Sequence, residues 1–294
     1  MLQIPLFRNA MRCALVCLVM IQTTACVKND KGGDDVQEHK NYNLSYSNDE
    51  RHKLDIYLPV GRNQQTPFIL LIHGGAWVAG DKSSMNVLQD SLMKRGIASA
   101  SMNYRYAGGQ VHYSELMQDV AAALEYCYEH RNNWNIRSDK YLVGGSSAGA
   151  HMSLLYAYNY DAAGRVAAVI SASGPTDVTQ TDFLNYVTIV GLIDEVEKMV
   201  GAAYQPGQPL SPEFAAASPR THLKNKPTLL LHGDNDIVVP YIQAQLLAAD
   251  LNTAGIPHKL VTFQGAGHDL GIENPGYLQL LLNEMELWCK TYGK

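Results

Sequence analysis

The chain has 294 residues, 46% of them hydrophobic and 17% charged, with a formal net charge of -5. This is globular composition, with enough sequence for one large domain or two small ones. The acidic balance, with no basic run after the first few residues, excludes a nucleic-acid surface, because such a surface needs clustered Lys and Arg to release phosphate counterions. Seventeen tyrosines against five phenylalanines suit a polar-aromatic cleft and ordinary half-buried surface equally well.

Arg8 and Arg12 precede a short apolar stretch from Cys13 to Ile21, and small residues lead on to Thr23-Thr24-Ala25-Cys26. This outlines a signal peptide over residues 1–25. The apolar stretch falls short of the roughly 20 residues that a bilayer span requires. The run up to Cys26 resembles bacterial lipoprotein signals, in which a small residue precedes a Cys that is diacylated and becomes the mature N-terminus. That resemblance implies lipidation of Cys26 and an exported protein anchored to a membrane, on the periplasmic side or the cell surface of a Gram-negative bacterium. Thr23 stands where such signals usually carry Leu, and an ordinary cleavage near Ala25 is the other reading. Residues 26–41 are nearly free of apolar side chains and predict a flexible tether. Cys13 and Cys17 fall in the removed segment, which leaves Cys127 and Cys289 besides Cys26, either paired or buried separately.

From Tyr42 onward, short apolar runs alternate with longer helical patterns, as in an α/β fold whose mostly parallel sheet carries helices on both faces. Residues 54–58 read as an early strand that still alternates with polar positions. Residues 68–72 form a continuous apolar run, the mark of a strand buried on both faces. Further strands are predicted at 97–102, 141–144, 166–171, 228–231 and 259–263. Helical spacing covers 83–95, 114–131, 148–158, 241–254 and 276–292. Residues 175–226 break the alternation with a helix-like run over 183–200 and prolines at 206, 209, 212 and 219. An insertion of that length usually covers something.

Gly145-Ser146-Ser147-Ala148-Gly149 is a G-x-S-x-G between a predicted strand and a predicted helix. The turn at such a nucleophile is tight enough that side chains at Gly145 and Gly149 would strike neighbouring backbone, and it holds Ser147 out at the carboxyl end of the sheet. A Gly-rich helix start without chemistry is the plain alternative. Upstream, His73-Gly74-Gly75-Ala76-Trp77 follows directly on the 68–72 strand. Acyl transfer builds negative charge on a carbonyl oxygen, and each backbone N–H aimed at it contributes about 3–4 kcal/mol. The run resembles the oxyanion-hole loop of esterases and lipases, with Ala76 in place of the usual third Gly. On that likeness Gly75, Ala76 and Ala148 are the candidate donors, and His73 anchors the loop.

A serine hydroxyl needs a base, and the base needs an acid that fixes its tautomer. Ten histidines are available. His268 is the candidate base because it alone lies in a Gly-rich loop after the last strand, while His151, His222 and His232 read as core or loop-anchoring residues. The candidate acid lies in His232-Gly-Asp234-Asn-Asp236, following the Ser, acid, His order of hydrolase folds.

Together these segments resemble the α/β-hydrolase carboxylesterases, and among them the bacterial acetyl-xylan and feruloyl esterases. The likeness covers about residues 42–294 and includes Leu54-Asp55-Ile56-Tyr57-Leu58-Pro59, Gly80-Asp81-Lys82, Asn103-Tyr104-Arg105, Ser147-Ala148-Gly149-Ala150-His151 and Ser218-Pro219. It implies Asp236 as the acid, with Asp234 in reserve. It also implies a serine ester hydrolase that forms an acyl-enzyme, needs no cofactor or metal, and acts on a small-molecule or carbohydrate ester. The Ser-Ala-Gly-Ala-His run is similar to that of kynurenine formamidases too, which keeps a formamide or amide substrate open. A prolyl-type peptidase would use the same triad, but it favours Tyr and Gly after the nucleophile and needs a large extra domain. A catalytically inactive surface binding module is the reading from another class.

Overall fold

The computed structural model describes residues 36–294. The expected signal peptide, Cys26 and most of the expected tether lie outside the described residues. Eight strands form one sheet: β1 (His39–Ser45), β2 (Lys53–Leu58), β3 (Phe68–Ile72), β4 (Ala98–Met102), β5 (Tyr141–Ser146), β6 (Val166–Ala172), β7 (Thr228–Gly233) and β8 (His258–Phe263). Their order is β1-β2-β4-β3-β5-β6-β7-β8. The β1/β2 and β2/β4 pairs are antiparallel and the others parallel.

Every residue of β3 is buried, and successive residues feed opposite faces. Phe68, Leu70 and Ile72 join one core with α2 (Tyr113–Trp134), α3 (Ala148–Leu155) and α7 (Ile242–Thr253); Ile69 and Leu71 join a second core with α1 (Asn86–Met93) and α8 (Pro275–Tyr292). A parallel strand covered on both sides must be apolar at every position, which is why this run was legible as central. The site-bearing loops leave the carboxyl ends of β3, β5, β7 and β8, the end of an open parallel sheet where ligands bind.

Three expectations are corrected. The tether expected through residue 41 fails at residues 39–41, because His39–Ser45 adds to the sheet edge. Its pattern is almost wholly exposed. Pairing supplies its backbone partners, and Lys40 lies over the Tyr57 ring at 4.6 Å and pairs with Asp90. A polar, charged edge strand of this kind is hard to tell from a tether by composition, and it guards the edge against a second chain. The helix expected over 183–200 is instead two, α4 (Thr181–Ile189) and α5 (Ile193–Val200), separated at Gly191, whose φ of +78° ends the first. The helix expected over 148–158 is α3 followed by one π-helical turn, Tyr156–Tyr160. Cys127 and Cys289 are both free and buried, so they are not paired.

Candidate active site

β5 ends at Ser146 and α3 begins at Ala148, so Ser147 alone makes the turn from strand to helix, with φ 53° and ψ -122°. A non-glycine residue held there stores on the order of 1–3 kcal/mol, and the surroundings explain how it is held. Ser147 N–H donates to Ala172 O at 2.8 Å, and Ser147 O accepts from His151 N–H at 3.0 Å. The register sets Ile72 of β3 beside Gly145. A Cβ on Gly145 would lie 2.5 Å from Ile72 O, and one on Gly149 would lie 2.1 Å from the same oxygen. Both glycines are required by close backbone approach.

The loop after β3 passes beside this turn, and a Cβ on Gly74 would stand 3.2 Å from Ser147 Cβ. Gly75, Ala76 and Trp77 all have positive φ, at 122°, 48° and 62°. Gly75 O accepts from Val78 and Ala79 N–H at 3.1 and 2.9 Å, which closes the loop into a tight coil. Residues marked in the sequence brace it from outside. The Asn103 amide oxygen accepts from Lys82 N–H at 2.7 Å, and its NH2 donates to Asp81 Oδ2 at 2.8 Å. Lys82 Nζ meets Asp55 at 2.8 Å in a buried ion pair. Tyr104 stacks on His73 at 4.4 Å and donates to its carbonyl at 3.2 Å. His73 thus anchors the loop, and burial lowers its pKa.

His151 has a larger structural part than its motif context suggested. Trp77 Nε1 donates to its Nδ1 at 3.2 Å, so its proton sits on Nε2, which donates to Ala217 O at 2.8 Å. Burial drives its pKa down to about 4 and keeps the ring neutral. It joins the His73 loop to the insertion. His222 is a loop anchor, with Nε2 3.0 Å from Ala216 O.

The structure brings Asp236 and His268 together, with Asp236 Oδ2 2.8 Å from His268 Nδ1. A carboxylate only accepts, so the proton lies on Nδ1 and the Nε2 lone pair is free. Burial alone would raise the Asp236 pKa. Hydrogen bonds from His232 and His268, and from the backbone of Val238 and Val239, overcome that and hold the carboxyl well below the usual carboxylate range. His232 is therefore more than a loop anchor. Its Nε2–H is shared between Val239 O at 2.9 Å and Asp236 Oδ2 at 3.3 Å. Asp234 does not reach His268. It is exposed and accepts from Gly265 N–H at 2.5 Å, tying the acid loop to the His loop. No hydrogen bond joins Ser147 to His268, a contact that in such sites commonly tightens as substrate binds.

The insertion closes over the elbow. α4 and α5 supply Phe183, Val187, Glu195 and Val196 to a cavity of about 40 Å³ that Ser147, Ala148, Ala76, Trp77, Val238 and Val239 also line. Farther along the insertion come α6 (Pro212–Ala216) and the turn Pro219–His222. Buried Gln243 of α7 accepts from Thr176 and Asp177 N–H at 2.8 Å each, and Ser218 Oγ accepts from Val178 N–H at 2.9 Å. The Gln243 bonds fix the cover to the sheet domain, and the Ser218 bond ties its two ends together.

A mostly parallel sheet with a serine elbow after β5, an acid loop after β7 and a His loop after β8 defines the α/β-hydrolase fold. The chain belongs to the BD-FAE family, whose model matches residues 54–251. It is 25% identical over 255 residues to a probable isoprenylcysteine alpha-carbonyl methylesterase of Arabidopsis thaliana, covering 79% of this chain and 52% of that one. It is 29% identical over 192 residues to a probable carboxylic ester hydrolase of Mycobacterium tuberculosis, covering 61% of this chain and 43% of that one. The chain thus spans about half the length of these curated relatives. Among solved structures, a truncated form of a carbohydrate esterase from gut microbiota superposes with a TM-score of 0.71 at 22% identity, covering 88% of this chain and 98% of that one.

Proposed function

We propose that this protein hydrolyses carboxylic esters through an acyl-enzyme on Ser147. The observation that carries the reading is the 2.8 Å Asp236–His268 contact on loops flanking a strained serine elbow. His268 Nε2 takes the Ser147 proton as Oγ attacks the ester carbonyl, and Asp236 stabilises the imidazolium that forms. The amides of Gly75, Ala76 and Ala148 receive the developing oxyanion. His268 then gives its proton to the leaving alcohol, and it activates water for deacylation. The esterase names of the relatives support the same chemistry.

The acyl group we assign is short. The cavity beside Ser147 is narrow, and its walls are mostly apolar, which suits a small acyl group. The carbohydrate-esterase neighbour supports an acetylated saccharide as the substrate class. Export and lipidation at Cys26 complete the proposal, and they rest on the Arg8 to Cys26 pattern alone.

The test is Ser147→Ala against p-nitrophenyl acetate and a fluorophosphonate probe. The variant should lose essentially all turnover and all labelling, and retained turnover would sink the assignment. Wild type should turn over acetyl esters and leave methyl ferulate untouched.

A further inference from the structure

Glu195 is the one ionisable side chain among the residues that share the cavity with Ser147. The walls around it are apolar: Trp77, Pro175, Phe183, Val187, Leu192 and Val196. Its Oε2 is buried without a hydrogen-bond partner among the described residues. The first turn of α5 carries both Asp194 and Glu195, and acids there are favoured by the helix dipole. The dipole explains why an acid is tolerated at this place. It does not explain why Glu195 buries this oxygen, since exposed Asp194 already supplies the charge. A buried carboxylate oxygen with no donor is costly, and a donor arriving with the substrate removes that cost.

We propose that Glu195 reads the substrate: its carboxyl group, turning toward the cavity it lines, accepts a hydrogen bond from a hydroxyl beside the scissile ester, so that the pocket selects hydroxylated esters. A hydroxyl fits better than an ammonium group. It surrenders one bond to water and regains one, whereas a cation entering these walls would lose its hydration shell for a single oxygen. The inference rests on the esterase reading and names the substrate class for it.

The experiment compares glycerol monoacetate with propyl acetate, which share the acyl group and differ in hydroxyls, using wild type, Glu195→Ala and Glu195→Gln. Wild type should prefer glycerol monoacetate in kcat/KM by about tenfold to hundredfold, the scale of one hydrogen bond to a charged acceptor. Glu195→Ala should bring the preference close to unity. Glu195→Gln, whose neutral amide oxygen still accepts, should keep a smaller but measurable part of it. The proposal fails if wild type shows no preference, if Glu195→Ala retains it, or if Glu195→Gln loses it as fully as Ala does. Wild type that hydrolyses neither ester would remove the esterase reading itself, and this proposal with it.

Discussion

Asp236 carries four donors on one buried carboxylate, and that concentration separates it from Asp234 two residues earlier. Asp236→Asn keeps the volume but takes the charge from beside His268, so kcat for p-nitrophenyl acetate should fall by about 10³–10⁴. Asp234→Asn still offers Gly265 an amide oxygen, and its kcat should stay near wild type. A comparable loss in both variants would argue against the assignment. Gly149→Ala drives a Cβ to 2.1 Å from Ile72 O, which only backbone movement can relieve. Its stability should drop by more than about 3 kcal/mol in urea unfolding. Ser147, Asp236 and His268 were legible because each lies in a short motif whose neighbours are contiguous in sequence. His232 and Glu195 were not. The first acts through a side chain brought close by the fold of the acid loop, and the second is notable for a donor that it lacks.

At the scale of elements, the sheet could be read strand by strand because burial on both faces leaves unbroken apolar runs such as Phe68–Ile72. The insertion could not be divided in the same way. Residues 183–200 keep an apolar spacing through Gly191, and only the left-handed φ there reveals two helices. Its docking runs through His151, a neutral imidazole held between Trp77 and Ala217. The ordinary His pKa of 6.5 falls to about 4 in the fold, so the unfolded chain takes up the proton first on acidification. The stability from this neutral ring is complete above 6.5 and is lost as pH falls from 6.5 toward 4. The loss amounts to about 3 kcal/mol if the shift is fully expressed. Tm followed from neutral to mildly acidic pH should fall, and His151→Gln should flatten that slope. An unchanged slope would remove His151 as the cause.

Among the described residues two cysteines are present, and they sit on different faces of the sheet, Cys127 in the α2 core and Cys289 in the α8 core. Burial raises both pKa values, that of Cys289 to about 12, so neither is a reactive thiolate. Reductant should therefore leave Tm unchanged, and a thiol reagent should modify them only on unfolding. Any drop in Tm with dithiothreitol would contradict the separation.

Strand β1 pairs antiparallel with β2, and β2 with β4, so β1 runs the same way as the parallel strands. His39 enters beside Leu58, level with the amino ends of the sheet, while Ser147, Asp236 and His268 gather at the opposite pole. The described chain thus enters the sheet at the pole opposite the mouth.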